Sequence, residues 1–191
     1  MVILGINQVS GLLTGQHDGA AALIQDGKLI ATAEEERFNR QRHAKGFPTL
    51  AVAYCLKEAG LTTADIDVIA IGYNPTRFIW KGFFFLSLKS LVIYVASIFI
   101  YRIKLKEFAK GCAKARIMYV NHHTAHAASA YRCSTFKDAN VITVDGAGEI
   151  ECAAFHRGQG GALTRLDEIP IAKWYDSGPW RSIGKVYSRV T

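Results

Sequence analysis

The chain has 191 residues, half of them apolar, and a formal net charge of +7 at neutral pH with an isoelectric point near 9.3. This length and apolar content allow a buried core, and length alone predicts a single domain. The basic residues are scattered, so a solvated basic surface is the simplest interpretation. Phosphate-bearing small molecules come next as partners, and nucleic acid or anionic lipid last.

The cysteines and the N-terminus exclude two further classes. The four cysteines form no C-x-x-C pair, so neither a cysteine metal site nor a disulfide scaffold is indicated. The chain begins with apolar residues, and its first basic residue is Lys28, so it lacks the charged start of a signal peptide. We expect a cytoplasmic protein.

The first third of the chain predicts a small meander followed by a helix. Apolar runs at 2–7, 19–25 and 28–33 predict three strands, and the Asp26-Gly27 pair between the last two is a strong hairpin signal. Pro48 then opens a helical pattern that Gly60 ends. A further strand is predicted at 68–73.

The second half repeats part of this pattern. The predicted elements are a strand at 116–120, a helix at 124–131, and strands at 141–145, 150–157 and 162–169. The last three form a second meander that locally resembles the first, which indicates a two-lobed duplication with nucleotide between the lobes.

The domain organisation follows from this repeat. We expect a first lobe at 1–110, with an apolar helical insert at about 79–108, and the beginning of a second lobe at 111–191. Residues 182–191 predict the start of another helix with no strands after it. The chain is therefore expected to hold one lobe and an incomplete second one, as a fragment would.

Residues 83–103 are almost wholly apolar. Lys89 interrupts the run, and the longest charge-free piece, 90–101, has 12 residues. A spanning helix needs about 20 residues, and a central Lys costs about 2.5–3.5 kcal/mol. A buried or partner-covered helix is the first interpretation, an interfacial membrane helix the second, and a true span the third.

Two histidines and an aspartate predict a metal site. His122 and His126 are four residues apart in an alanine-rich stretch, so on a helix both imidazoles project from one face. Asp145 ends a predicted strand, where ligands gather in open α/β folds. Two imidazoles and a carboxylate suit iron or zinc and leave a position for a substrate oxygen. The alternative is that both histidines are ordinary core residues.

The neighbours of these residues have two possible roles each. Asn121 and His123 are either partners of the ligands or polar residues of the helix start, and His123 is offset from the ligand face by one residue. Gly146 and Gly148 would let backbone amides approach a phosphate.

Two polar segments near the first meander are further candidates. His17 and Asp18 lie in the loop between the first two strands, where a histidine could act as a general acid or base; a turn-stabilising pair is the alternative. Four residues after the acidic run at 34–36 could donate hydrogen bonds to a phosphate. The alternative is that they form a solvated charged face. They are Arg37, Arg40, Arg42 and His43.

Five motifs occur in an order that resembles a known family. They are His17-Asp18-Gly19-Ala20-Ala21, Ala33-Glu34-Glu35-Glu36-Arg37-Phe38-Asn39-Arg40, His43 with Gly46-Phe47-Pro48, His122-His123-Thr124-Ala125-His126-Ala127-Ala128-Ser129-Ala130, and Thr143-Val144-Asp145-Gly146-Ala147-Gly148-Glu149. Each is weak alone, but the ordered set is specific. Together they resemble the N-terminal part of an O-carbamoyltransferase of the nodulation and antibiotic-biosynthesis type.

The resemblance implies an actin-like ATPase fold, related to ribonuclease H, of the Kae1 branch. In such enzymes carbamoyl phosphate and ATP form a carbamoyl-adenylate, and the carbamoyl group passes to an acceptor hydroxyl. The resemblance implies that His122, His126 and Asp145 hold a metal, usually iron, that binds nucleotide phosphate. It also implies that the segment around Arg42 meets carbamoyl phosphate and that His17 lies near the reacting groups.

The chain departs from the family in two respects. The family commonly has Lys where this chain has Arg42, and a planar guanidinium presents its protons differently from an ammonium. Family members are also far longer, so a further metal ligand, other nucleotide contacts and the acceptor-binding domain would lie beyond Thr191. We therefore expect this part alone not to turn over, and the acceptor cannot be named.

Two other functions remain open. A Kae1-type factor that transfers threonylcarbamoyl to tRNA would share the fold, although the motifs favour the carbamoyltransferase branch and no nucleic-acid partner is expected. A membrane-associated module that uses 83–103 as an anchor and has lost catalysis is the other.

Overall fold

The computed structural model describes residues 1–7, 18–44, 46–74, 88–146, 148–170 and Ile183. The chain divides into two compact units. The first comprises Met1–Tyr73 and Leu86–Tyr119, and the second comprises Asn74–Phe85 and Val120–Thr191.

The first unit is a five-stranded mixed sheet with helices. Its elements are β1 (Val2–Asn7), β2 (Ala20–Gln25), β3 (Lys28–Glu34), α1 (Glu36–Asn39), α2 (Thr49–Ala59), β4 (Val68–Ile71), α3 (Leu88–Lys110) and β5 (Arg116–Tyr119). The sheet order is β3-β2-β1-β4-β5. β1, β2 and β3 are antiparallel neighbours, whereas β4 and β5 run parallel to β1.

Local sequence signals explain the first meander and the helix after it. Asp26 and Gly27 both have positive φ, 50° and 81°, which is the requirement of the tight hairpin turn predicted there. α2 ends at Gly60, whose φ of 65° places it in the left-handed region and whose N–H donates to the carbonyls of Leu56 and Lys57. Both predictions are confirmed.

The core of the first unit is apolar. Alternate residues of β1, namely Val2, Leu4 and Ile6, are buried, as a strand with one core face requires. They belong to the same hydrophobic cluster as the buried face of α2, which includes Val52 and Leu56.

The second unit is a three-stranded antiparallel sheet with one helix. Its elements are α4 (His122–Arg132), β6 (Asp138–Val144), β7 (Glu151–Gln159) and β8 (Ala162–Pro170), and the strand order is β6-β7-β8. α4 packs against β6 and β7. The side chains buried there include several polar ones. They are His123, Thr143, Glu149, Glu151 and His156.

The predicted fold class is confirmed. In the first unit, an antiparallel meander is continued by two parallel strands in the order β3-β2-β1-β4-β5, and helices complete a mixed α/β unit. The second meander is also present. The predicted helix at 182–191 lies outside the described residues, apart from Ile183.

The boundary between the units differs from the one expected at residue 110. β5 pairs with β4 in the first sheet, residue for residue from Val68 with Arg116 to Ile71 with Tyr119. Because those backbone hydrogen bonds belong to the first sheet, the first unit extends to Tyr119. α4 also begins two residues earlier than expected and β6 three residues earlier.

The apolar stretch forms most of α3. Leu105 faces the core of the first unit, whereas Val92, Phe99 and Ile103 are exposed. Residues 79–87 of the expected insert lie outside the described residues. Among the helices that the structure describes, none has the length and apolar character needed to cross a membrane.

Candidate metal centre

The start of α4 presents two histidines on one helical face. The Asn121 side chain caps the helix, because its Oδ1 accepts a hydrogen bond from the Thr124 N–H at 3.0 Å. His122 is the first residue of the helix, and His126 follows one turn later. The alanines between and after them favour the helix and leave room around the imidazoles.

The structure brings the three predicted ligands together. His122 Nε2 lies 2.7 Å from Asp145 Oδ2 and 3.1 Å from His126 Nε2, and the distance from His126 Nε2 to Asp145 Oδ2 is 3.7 Å. Asp145 follows β6 directly, and its backbone N–H donates to the carbonyl of Cys152 on β7. The candidate ligand atoms of all three residues lie within 4.8 Å of one another.

This arrangement fits a divalent metal ion. Two ligands about 2.1 Å from a metal at a tetrahedral angle are roughly 3.4 Å apart, and the observed separations lie on either side of that value. Two histidines and one carboxylate are typical of sites for zinc and for non-haem iron with open positions. His122 is half-buried and His126 is exposed, so the group is accessible.

The electrostatics keep the carboxylate ionised. The hydrogen bond from His122, and next the adjacent His126 imidazole, hold the pKa of Asp145 far below its ordinary value. The group therefore supplies a full negative charge at neutral pH, which is the form that a cation needs.

His123 is a structural residue. It is fully buried, with Nδ1 2.8 Å from the Thr143 hydroxyl and Nε2 3.2 Å from the Glu151 carbonyl. Burial lowers its pKa, so the neutral ring is favoured. A neutral ring protonated on Nε2 donates to the carbonyl and accepts from the hydroxyl, which agrees with the expectation that it points away from the ligand pair.

The two glycines after Asp145 have partners within the chain. The Gly146 N–H donates to Asp145 Oδ1 at 2.6 Å, and the Gly148 N–H donates to the Glu151 carbonyl at 2.8 Å. A Cβ at Gly148 would lie 2.9 Å from the His123 ring. Close packing therefore explains Gly148 without a phosphate, and both amides would have to exchange partners to bind one.

Buried charged groups next to the centre were missed by sequence reasoning. Glu149 and Glu151 are fully buried, and Arg165 donates to Glu151 at 2.7 Å. The sequence carries no signal for this burial, because acids are almost never buried unless they are paired and the partners of these two are distant along the chain.

Asp18 and His43 pair in the first unit. His43 Nδ1 lies 2.9 Å from Asp18 Oδ1, and both side chains are about half exposed. Both residues have left-handed backbones, with φ of 67° and 55°. His17 lies outside the described residues.

Hydrogen bonds hold the two strained segments that carry Asp18 and His43. Glu36 accepts from the His43 N–H at 3.1 Å, and the Gly19 N–H donates to the Ala44 carbonyl at 3.3 Å. A left-handed conformation costs a non-glycine residue about 1–2 kcal/mol. Such strain persists only where the surroundings enforce it, and it is concentrated at functional sites. A carboxylate that orients an imidazole is also a common device of acid–base chemistry.

Glu35, whose role sequence reasoning missed, lies between β3 and α1 and connects them to α2. Its buried carboxylate accepts from the N–H groups of Leu50 at 3.2 Å and Ala51 at 2.8 Å. N–H groups in the first turn of a helix have no acceptor within the helix. Because the Pro48 side chain has no acceptor atom, Glu35 caps α2 in its place.

The four residues predicted to donate hydrogen bonds to phosphate have exposed side chains. Arg37 pairs with Glu34 at 2.9 Å, and Arg40 ends α1 in a left-handed conformation. Arg42 and His43 follow on the same loop. All four belong to the first unit, whereas the candidate metal ligands belong to the second.

The sequence comparison identifies the class of protein. The chain matches the family described as "Carbamoyltransferase N-terminus" over residues 8–79 and 79–191, and it therefore belongs to this family. The predicted resemblance is confirmed.

Individual relatives of the chain are longer proteins. It is 32% identical over 202 residues to an uncharacterized protein of Synechocystis, covering 97% of this chain and 32% of that protein. It is 34% identical over 165 residues to the nodulation protein NolNO of Sinorhizobium fredii, covering 82% of this chain and 23% of that protein. The chain thus spans about a third or less of these relatives.

The chain is also similar to a solved structure. YeaZ from Pseudomonas aeruginosa aligns with a TM-score of 0.48 at 17% identity, over 90% of this chain and 68% of that one.

Proposed function

We propose that this chain supplies the metal centre and part of the substrate-binding surface of an ATP-dependent carbamoyltransferase. The observation that carries the proposal is the convergence of His122, His126 and Asp145. Membership of the carbamoyltransferase N-terminal family gives the reaction class.

The three ligands would hold a divalent cation, iron or zinc by their chemistry. When bound, such an ion supplies positive charge to the phosphate oxygens of ATP. Asp145 stays ionised, and His122 and His126 bind in the neutral form. The Gly146 and Gly148 amides already donate to acceptors within the chain. We therefore propose that the cation is the main contact of the ATP phosphate, and that these amides bind phosphate only if they give up their present acceptors.

The segment at 37–43 of the first unit would bind carbamoyl phosphate. Arg37, Arg40 and Arg42 supply guanidinium donors, which match phosphate geometry in pairs. The Asp18 carboxylate lies 2.9 Å from the His43 Nδ1 and orients the imidazole beside these donors. His17 adds a second imidazole one residue before Asp18 in the sequence.

The proposed carbamoyl transfer has two steps. Carbamate, released from carbamoyl phosphate by water with loss of phosphate, attacks the α-phosphorus of ATP and expels pyrophosphate. The acceptor hydroxyl oxygen then bonds to the carbamoyl carbon, the bond from that carbon to the adenylate oxygen breaks, and AMP and a proton leave.

Metal titration tests the centre. We expect the 191-residue chain to bind one Zn(II), or one Fe(II) under anaerobic conditions, by calorimetry. His122→Ala should weaken binding by more than the roughly 10–100-fold that loss of an outer-shell partner costs. His43→Ala, an exposed histidine of the other unit, is the matched control. Unchanged binding in His122→Ala would refute the site.

A phosphate titration tests the loop. Arg42→Gln should weaken carbamoyl phosphate binding, whereas Arg157→Gln, which changes an exposed arginine on β7, should leave it unaltered. Equal effects of the two substitutions would show only a general response to net charge.

The outer face of α3 favours a second, compatible role at an anionic membrane surface. Val92, Val95, Phe99 and Ile103 are exposed at spacings of three and four, which puts them on one face of the helix. The same face continues into exposed Lys106 and Lys110. Apolar side chains followed by basic ones match a lipid interface with anionic headgroups.

Flotation tests this role. We expect the chain to float with phosphatidylcholine vesicles only when they contain phosphatidylserine, and Phe99→Ser to reduce the floated fraction. Phe136→Ser, at an equally exposed phenylalanine outside α3, is the control. Recovery of all the wild-type protein in the soluble fraction would refute it.

A further inference from the structure

The Asn121 carboxamide lies between the start of α4 and two buried carboxylates. Its Nδ2 donates to Glu149 Oε2 at 3.0 Å and to Glu151 Oε1 at 3.1 Å. Its Oδ1 accepts from the N–H of Thr124 at 3.0 Å and from the Thr124 hydroxyl at 3.3 Å. One side chain therefore satisfies the helix and both acids at once.

The hydrogen count fits an amide. The NH₂ group carries two protons, one for each carboxylate, and the carbonyl oxygen has two lone pairs, one for each Thr124 donor. Both acids are fully buried, and a buried carboxylate without donors is costly. Glu151 is further paired with Arg165, and Glu149 accepts from the Asn74 N–H.

These contacts join the two segments that carry the metal ligands. Asn121 precedes His122, so its position fixes the first turn of α4. Glu151 precedes Cys152, whose carbonyl holds the Asp145 N–H at 2.9 Å. A short path of hydrogen bonds and covalent bonds thus runs from His122 through Asn121 and Glu151 to Asp145.

We propose that Asn121 is the positioning residue of the metal centre, setting the distance between the histidine pair and Asp145 through its bonds to Glu149 and Glu151. This inference rests on the proposed metal site and adds the device that preorganises it. Outer-shell groups of this kind fix the orientation of metal ligands.

Helix capping alone predicts a different mutational pattern. Asn, Asp and Ser are nearly equal as N-caps, so a residue that only caps α4 tolerates both substitutions. A residue that bridges two carboxylates does not. Asn121→Ser removes both donors, and Asn121→Asp in addition places a third carboxylate against Glu149 and Glu151.

Cobalt binding separates the two patterns. We would titrate Co(II) into the wild type, Asn121→Ser, Asn121→Asp and the control Asn140→Asp, an exposed asparagine of β6, and record the visible absorption of the bound ion. We expect Asn121→Asp to weaken binding about 10–100-fold with an altered spectrum, and Asn121→Ser to have a smaller effect in the same direction. Simple charge attraction predicts the opposite for Asn121→Asp, because an added anion favours a cation.

A double variant provides the rescue. When Asn121→Asp is combined with Glu149→Gln, the new amide at position 149 can donate to the new carboxylate at position 121. The amide oxygen can still accept from the Asn74 N–H, and the number of carboxylates returns to two. We expect cobalt affinity and spectrum to recover towards the wild type. Absence of recovery, or wild-type binding by both single variants at position 121, overturns the proposal.

Unfolding of the metal-free protein separates this inference from the proposed function. Asn121→Asp should be less stable to urea than Asn121→Ser, whereas Asn140→Asp should resemble the wild type. If the wild type binds no cobalt, the metal function fails. If the Asp and Ser variants are equally stable without metal, the bridging role fails whatever the wild type binds.

Discussion

The two units have interiors of different chemistry. In the first unit, β1, β4 and α2 contribute an apolar cluster with Leu4, Ile69 and Ala51 completely buried. In the second unit, the side chains buried between α4 and the sheet include His123 and His156. An apolar core usually tolerates apolar substitutions that conserve its volume, whereas each buried polar group requires its own hydrogen-bond partner.

The difference suits what each unit carries. The two surface segments that carry Asp18 and His43 are held by backbone hydrogen bonds and acidic side chains. In the second unit, the candidate metal ligands are backed by buried hydrogen-bonded groups, which fix the orientation of a ligand side chain. In the metal site proposed above, this polar interior is what would orient the three ligands.

The largest expected effect comes from a cavity in the apolar core. Leu4→Ala should lower the free energy of unfolding by about 2–5 kcal/mol, because it removes buried methylene groups and leaves a void. Urea denaturation measures this change. Leu29→Ala, at an exposed position of the same sheet, should cost far less. Equal losses would mean that the first unit is not held by the cluster described.

Overpacking tests the second interior. A Cβ at Gly158 would lie 2.5 Å from the Tyr131 ring, and that ring is held at its far end by the hydroxyl, which donates to the Lys137 carbonyl at 2.7 Å. Gly158→Ala should therefore cost up to about 3 kcal/mol of unfolding free energy.

Gly5→Ala is the matched control for overpacking. Gly5 also lies in a strand, but its nearest contact for an added Cβ is 3.6 Å away. Urea curves for the two variants should differ clearly, with Gly5→Ala close to the wild type. A neutral Gly158→Ala would show that the Tyr131 packing yields.

A change of equal volume distinguishes polar from apolar interiors most directly. Thr143→Val keeps the shape but removes the hydroxyl that lies 2.8 Å from His123 Nδ1. It should cost about 1–3 kcal/mol, because it leaves a buried nitrogen without its partner. Thr164→Val, at an exposed position of β8, is the control. A stabilised Thr143→Val protein would show that the hydroxyl contributes nothing.

Local signals made much of this structure predictable. The Asp26-Gly27 turn and the helix end at Gly60 each depend on a backbone conformation that a few residues determine. The convergence of His122 and His126 follows from helical spacing, and Asp145 from its place at a strand end. These are short-range rules, so they survive without knowledge of tertiary contacts.

Long-range contacts were not predictable. Asn121 contacts Glu149 and Glu151 across 28 and 30 residues of sequence, and the acidic pair would ordinarily be expected at the surface. The placement of β5 failed for the same reason. Its four residues show no alternating burial, and only the pairing with β4 assigns it to the first sheet.

The smallest expected effect concerns pH and the buried His156. Burial, then the positive charge of Arg165 on β8 and the His123 ring on α4, lower its pKa from the ordinary value. Among the described residues its Nδ1 has no hydrogen-bond partner, while Nε2 lies 3.4 Å from the Thr124 hydroxyl. The folded protein therefore resists protonation of this ring.

The sign of the effect follows from linkage. The unfolded chain takes up this proton near pH 6.5, before the folded state does, so His156 lowers stability as the pH falls below about 6.5 and has no such effect above it. In metal-free buffer, the urea stability of the wild type should fall more between about pH 7 and 5 than that of His156→Gln. Arg165 and His123 remain in both proteins, so the difference between the two curves isolates the ring. Parallel curves would mean that His156 is protonated as readily in the folded protein as in the unfolded chain, and that the polar interior is open to water at this point.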